Sequence, residues 1–391
     1  MFDSLEAMPP DALLALIKLF NADDRSTKVD LGVGVYRTAD GGTPVFRAVK
    51  EAERRLLETQ DSKAYLGPEG DMGFVEALVP HVFGPLATAD RLAGIQTPGG
   101  TGAVRLACDL LKRAGAGKVL LGTPSWPNHA PIAKAAGLDV VSYTHCDLDS
   151  QALDFDALLG AMQGATSGDV VLLHGCCHNP TGIDYSAEQW HHIAAAISAK
   201  GLLPLIDLAY QGLGKGFEED AAGMRIVLDH VPEALIAYSC DKNFGVYRDR
   251  VGALYSISGN SAQRDIVNSN MLALARSNWS MPPDHGAAAA RIVLQDEGLT
   301  RIWLDEVTDM RARLAEMRAL LAAEGQIGTA NLAAVGQQNG LFSTLKLSPE
   351  KILALCNDHG IYMAGSGRIN VAGFTHHNAR HFIDALKAVA D

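Results

Sequence analysis

The sequence has no lysine- or arginine-rich run, no low-complexity tract and no tandem repeat, and its formal net charge is −12. Nucleic-acid affinity comes largely from clustered positive charge, so a phosphate-backbone binder is excluded and any anion site has to be local. No apolar run is long enough to cross a bilayer, which gives the expectation of no membrane span. Residues 1–10 carry acids and prolines where a secretory signal would have a basic stretch followed by an apolar one, so no signal is expected there. Cysteine is scarce. There are six in the chain, two of them adjacent at Cys176 and Cys177. That is no disulfide framework, and reduced thiols in the cytoplasm are the simpler reading.

What is present is the composition of an ordinary globular protein, with hydrophobic residues at 48% and charged residues at 20%. A chain of 391 residues exceeds what one core usually organises, so a large and a smaller domain are expected. Short apolar runs recur at 118–122, 140–143, 170–173, 202–206, 235–239 and 251–257, with helical patterns between several of them. This alternation predicts an α/β fold with a mostly parallel central sheet flanked by helices. Val170-Val171-Leu172-Leu173 is apolar at every position, as in a strand covered on both faces. The spacing of Ile302, Leu304, Val307, Met310, Leu314, Met317 and Leu321 predicts one helix over 300–323 that bridges the domains. Beyond it, strand patterns at 340–345 and 367–371 and a helix opening at Ser348-Pro349 suggest the small α/β domain.

In α/β sheets ligands sit beyond the carboxyl ends of the strands, so the polar residues that follow each apolar run are the ones to collect. After Ile95 comes Thr97-Pro-Gly-Gly-Thr101-Gly and then a helical pattern, a helix start whose free N–H groups suit a phosphate. Taken alone it reads equally well as a helix entry that binds nothing. Asp207 ends the run Leu202–Ile206, with Tyr210 three residues on, and a loop or helix cap is its plain alternative. Lys242 follows the run 235–239, and Arg250 lies close behind.

Together these groups match what pyridoxal phosphate requires. Its aldehyde needs an amine, Lys242, and its pyridine nitrogen needs a carboxylate, Asp207. Its phosphate needs a helix N-terminus and an arginine, Arg250. Its ring needs an aromatic face, for which Trp126 is the candidate. The run His174-Gly-Cys-Cys-His-Asn179-Pro-Thr-Gly182 has the residue types of a zinc site. Adjacent strand residues face opposite sides, however, so Cys176 and Cys177 are not expected to converge on an ion and no metal is expected. Asn179 is better placed as a hydrogen-bond donor to a bound ring.

The sequence resembles the aspartate and aromatic aminotransferase family, subgroup Iα of the fold-type I pyridoxal-phosphate enzymes. The resemblance covers essentially the whole chain and rests on Gly32-Val-Gly-Val-Tyr36, Thr97-Pro-Gly-Gly-Thr-Gly102, Pro124-Ser-Trp-Pro-Asn-His129, residues 174–182 and Arg250-Val-Gly252. It implies an N-terminal arm at 1–10, a small domain from 11–43 and 310–391, and a large cofactor-binding domain at 44–309. It implies that Lys242 holds the cofactor and shuttles the proton, that Asp207 pairs with the pyridinium, and that Tyr210 and Asn179 bond the ring oxygen. His129 would support Asp207, while Gly100, Thr101, Ser239 and Arg250 would hold the phosphate, with Tyr65 reaching in from a partner subunit. Arg368 would bind the substrate α-carboxylate near Gly34 and Trp126. Arg276 of the partner would take the side-chain carboxylate of a dicarboxylic substrate, so a homodimer with shared active sites is implied. Cis peptide bonds at Thr123–Pro124 and Asn179–Pro180 are implied as well.

The implied reaction is ping-pong transfer of the amino group of aspartate or glutamate, and of aromatic amino acids, to 2-oxo acids such as 2-oxoglutarate. A strict aspartate aminotransferase and a non-catalytic cofactor-binding regulator are the alternatives. Departures lie near the chemistry. Cys240 and Asp241 precede Lys242 where many relatives carry an aromatic and a serine. On a strand Asp241 would face away from Lys242, with little expected effect. Arg37, Ala64 and Met281 match neither substrate pattern, while Val35, Thr43 and Thr101 look aspartate-like.

Overall fold

The computed structural model describes residues 2–8, 12–86 and 90–390. Residues 1, 9 and 10 of the expected arm, and 11 and 391 at the ends of the expected small-domain segments, lie outside these. Seven strands form the central sheet: β1 (Leu92–Pro98), β2 (Lys118–Thr123), β3 (Asp139–Thr144), β4 (Val170–His174), β5 (Leu203–Leu208), β6 (Ala234–Ser239) and β7 (Val251–Ile257). Their order is β1-β7-β6-β5-β4-β2-β3. Only β7 runs antiparallel to its neighbours. The six runs read from the sequence are all strands. The seventh, β1, carries Gly94, Gln96 and Thr97 among its apolar residues and so lacks their uniform hydrophobicity.

Side-chain alternation divides the sheet between two cores. Val170 and Leu172 join one apolar cluster with Ile95, Val104 and Met271. Val171 and Leu173 join the other with Ile206, Ile236 and Trp303. A strand apolar on both faces therefore packs on both, as the run at 170–173 requires.

The long helix spans Glu297–Ala322, 26 residues, and begins three residues earlier than its apolar spacing indicates. Asp296 caps it, its carboxylate accepting from the Leu299 N–H at 2.9 Å. Val307, Met310, Leu314, Met317 and Leu321 are buried as their spacing predicts, while in the first turns Trp303 is fully buried and Ile302 and Leu304 only partly so. Arg318 on this helix is buried and donates to the carbonyls of Val335, Asn339, Gly340 and Phe342 and to the Ser343 hydroxyl. These bonds tie the helix to the C-terminal segment. There Phe342–Thr344 (β8) pairs antiparallel with Arg368–Asn370 (β9). The N-terminal segment joins it, Val29–Asp30 pairing in parallel with Ile361–Tyr362. Among the described residues no helix is long and apolar enough to cross a membrane.

Candidate active site

The six parallel strands point their carboxyl ends to one rim, where antiparallel β7 begins, and a pocket opens there. It is lined by Gly34, Gly100, Thr101, Trp126, Asn179, Asp207, Tyr210, Ser239, Lys242 and Arg250, and also by His174, Ala209, Asp241 and Tyr247. Ten of the site residues expected from the sequence thus meet in one cavity.

Asp207 sits one residue before the end of β5. His129 Nε2 lies 3.0 Å from Asp207 Oδ2, and Ser125 Oγ bridges His129 Nδ1 at 2.9 Å and His174 Nε2 at 3.0 Å. A carboxylate only accepts, so Nε2 of His129 carries the proton and Nδ1 takes the serine hydroxyl. Burial, with His129 beside it, keeps His174 well below the usual histidine range. Behind Asp207 the relay is therefore neutral at His174 and fixes the carboxylate's orientation. The other oxygen, Asp207 Oδ1, is buried without a hydrogen-bond partner. A buried carboxylate oxygen left open is costly unless a ligand completes it.

Lys242 is half-buried in the turn after β6, and desolvation lowers its pKa below that of an ordinary lysine. Its Nζ lies 5.3 Å from the Tyr210 ring centroid. Asn179 Nδ2 donates to the Tyr210 hydroxyl at 3.2 Å. Burial, then the nearby Asp207 charge, raises the Tyr210 pKa. Trp126 packs edge-on against His129 with centroids 5.0 Å apart. The peptide bonds Thr123–Pro124 and Asn179–Pro180 are both cis, as the resemblance implied.

A helix spanning Gly99–Arg113 (α1) opens the anion side of the pocket. A Cβ at Gly100 would fall 2.9 Å from Ser239 Cβ, so glycine is what lets the helix start close to β6. Arg250 approaches the same helix start. On the opposite side Arg368 donates to the Gly32 carbonyl at 3.0 Å and lies over the Phe342 ring at 4.3 Å. Its Nη1 is 3.5 Å from Asn179 Oδ1, and its Nε is buried without a partner. Burial lowers the Arg368 pKa. A Cβ at Gly34 would meet the same Phe342 ring at 2.7 Å.

Four expected residues do not line this pocket: His129 stands behind Asp207, Arg368 lies beside Asn179, and the other two are on the surface. Tyr65 is 94% exposed, and Arg276 lies in the last turn of Ser261–Asn278, bonded to the Ser280 hydroxyl. The Leu66 N–H donates to Met281 Sδ at 3.1 Å, so the two segments sit side by side on the surface. Arg37 pairs with buried Asp30.

Two expectations fail, for one reason. Asp241 does not face away from Lys242: it lines the same pocket and forms an ion pair with Arg250. Cys176 and Cys177 do converge, with Asp220, their ligand atoms lying within 4.8 Å of one another. Both pairs lie past the strand ends, where strand alternation no longer applies. Cys177 has φ +50°. The Cys176 thiol is raised well above its ordinary value by its hydrogen bond with Cys177 and by burial, while burial pushes the Cys177 thiol up to about 12. Asp220 already accepts from the N–H groups of Gly212, Gly214 and Lys215.

Tyr247 was not expected in the site. Its hydroxyl accepts from the Tyr36 N–H at 2.8 Å, and burial pushes its pKa up to about 12. The only trace of this in the sequence is an aromatic residue in the loop between Lys242 and Arg250.

A doubly wound sheet with a half-buried amine, an open carboxylate and a glycine-lined helix start at its rim forms a pocket suited to an anionic, ring-bearing cofactor. The family model for aminotransferase class I and II matches residues 26–386. A tyrosine aminotransferase of Rhizobium meliloti (strain 1021) is 54% identical over 373 residues, 95% of this chain and 96% of that one. An aspartate aminotransferase of Escherichia coli (strain K12) is 44% identical over 395 residues, with both chains fully covered. The crystal structure of an aromatic-amino-acid aminotransferase from Burkholderia pseudomallei, covalently bound to pyridoxal phosphate, superposes with a TM-score of 0.96 at 35% identity over the whole of both chains. The chain belongs to the class I and II aminotransferases, pyridoxal-phosphate enzymes of fold type I that move amino groups between amino acids and 2-oxo acids.

Proposed function

We propose that the preferred substrates are dicarboxylic amino acids, aspartate and glutamate, with 2-oxoglutarate as an acceptor, and that aromatic amino acids enter the same pocket. The observation that carries the site assignment is the meeting of Lys242 with Asp207 in one pocket, with Arg368 beside the pocket residue Asn179; Asp207 and Arg368 each keep a buried polar atom open. Bound pyridoxal phosphate supplies a ring system that takes up the electrons of a broken Cα–H bond. Asp207 Oδ1 accepts the ring N–H, with His129 holding the carboxylate in place. Lys242 supplies the amine that anchors the cofactor and then moves the proton at the substrate Cα, a task favoured by its lowered pKa. Asn179 and Tyr210 bond the ring oxygen. Gly100, Thr101, Ser239 and Arg250 hold the phosphate, and Trp126 covers the ring. Arg368 grips the α-carboxylate with its planar fork, close to Gly34.

The working unit we propose is a two-fold dimer in which Tyr65 and Arg276 complete the partner's pocket. Both are exposed outside their own pocket, and the segments that carry them touch through the Leu66 N–H and Met281 Sδ, which supports this reading. We assign 11–43 and 310–391 to the small domain and 44–309 to the large one, supported by the pairing of Val29–Asp30 with Ile361–Tyr362. Six unpaired cysteines support a reducing, cytoplasmic setting.

Aromatic substrates are supported by Met281 beside the Tyr65 segment, because a flexible thioether can repack against a ring, and by the small Ala64. Relatives named for tyrosine and for aspartate are both close in sequence. The test is kcat/KM for aspartate, tyrosine, phenylalanine and tryptophan with 2-oxoglutarate. The account expects measurable turnover of all four. Aspartate turnover without phenylalanine turnover would reduce the enzyme to a strict aspartate aminotransferase.

A further inference from the structure

A cofactor phosphate carries negative charge, and the cradle that would receive it already contains a carboxylate. Asp241 is 3% exposed. Its Oδ2 pairs with Arg250, and its Oδ1 is buried without a partner. Its N–H donates to Ser239 Oγ at 3.3 Å. A Cβ at Gly99, the first residue of α1, would lie 2.6 Å from Arg250 Nη2 and 3.1 Å from Asp241 Oδ2. The ion pair therefore sits against the helix start, the place where helix N–H groups and an arginine fork favour an anion. Arg250 has a further bond only to the Tyr247 carbonyl at 3.1 Å among its contacts in this loop.

We infer that Asp241 competes with the cofactor phosphate for Arg250 and the α1 N-terminus, making this an aminotransferase that holds its cofactor loosely and exchanges it readily. The inference rests on the cofactor reading of the pocket. Binding the phosphate requires Arg250 to leave Asp241 or to be shared with it. In either arrangement a like charge remains in a water-poor cavity, where repulsion is stronger than in bulk water. Asp241 also acts on Lys242: against the larger influence of burial its charge favours the protonated amine, which opposes imine formation with any aldehyde. That effect acts on the amine and is independent of the phosphate.

Asp241→Asn keeps the shape and removes the charge, and Asp241→Ser opens the cradle and leaves a hydroxyl donor. Apo-protein is titrated with pyridoxal phosphate, and in parallel with pyridoxal, which lacks the phosphate. Dissociation constants are read from the absorbance of the bound cofactor, and release rates from dialysis. Both variants are expected to gain affinity for pyridoxal phosphate by about tenfold or more beyond any gain for pyridoxal, about 1.4 kcal/mol, and to release pyridoxal phosphate more slowly than the wild type. A purely structural effect would move both ligands together. Should Asp241→Asn fail to fold, Asp241→Ser decides alone. Equal or weaker pyridoxal-phosphate binding in the folded variants overturns the inference. Absence of covalent cofactor at Lys242 in the wild type overturns the pocket assignment itself, so the two failures are distinguishable.

Discussion

Replacing Lys242 by alanine is expected to lower turnover of every amino donor by about four orders of magnitude or more, roughly 5.4 kcal/mol of transition-state stabilisation. The size follows from the double duty of one amine. It anchors the cofactor covalently and it moves the Cα proton, and no other lysine lines the pocket. Partial burial lowers the Lys242 pKa below that of an ordinary lysine, which favours the free base that both duties require. Single-turnover absorbance measurements distinguish loss of chemistry from loss of binding, since the variant should still take up cofactor without covalent attachment. A variant with near-wild-type turnover would remove Lys242 from the mechanism.

Replacing Arg276 by leucine is expected to cut kcat/KM for aspartate by about a hundredfold or more, about 2.7 kcal/mol, and to spare phenylalanine. A guanidinium that meets a carboxylate in a closed site contributes to dicarboxylic substrates alone, whereas an aromatic ring gains nothing from it. Because Arg276 lies outside its own chain's pocket, mixing should expose the sharing. In the proposed shared-site dimer, hybrids of a Lys242→Ala copy with an Arg276→Leu copy would contain one site with native Lys242 and a native Arg276 from the other subunit, so aspartate activity is expected to return. No recovery, or equal losses for aspartate and phenylalanine, would show that Arg276 acts structurally.

Much of this architecture is legible in the sequence because one rule covers it. A parallel strand buried on both faces has to be apolar throughout, and the first polar residues after it stand at the ligand rim. Asp207 and Lys242 are found that way, as are Asn179 and Trp126. The rule weakens at β1, where Gly94 and Gln96 interrupt the pattern. It fails beyond the strand ends. Asp241 and the Cys176–Cys177 pair were assigned orientations by strand alternation, yet both lie in turns where the backbone has left the pleat, Cys177 with a left-handed φ of +50°. Tyr247 is illegible for a related reason: its position is set by a contact with Tyr36, 211 residues away in the chain. Sequence patterns report local geometry, and loop side chains are placed by partners distant in the chain.

The central claim is that the amine of Lys242 is the cofactor's attachment point within an aminotransferase pocket. Borohydride reduction of the protein loaded with pyridoxal phosphate, followed by peptide mass spectrometry, tests it most directly. The account predicts one phosphopyridoxyl group per chain on Lys242, lost when excess aspartate is added before reduction. Labelling of another lysine, or labelling of Lys242 that aspartate does not prevent, would contradict it.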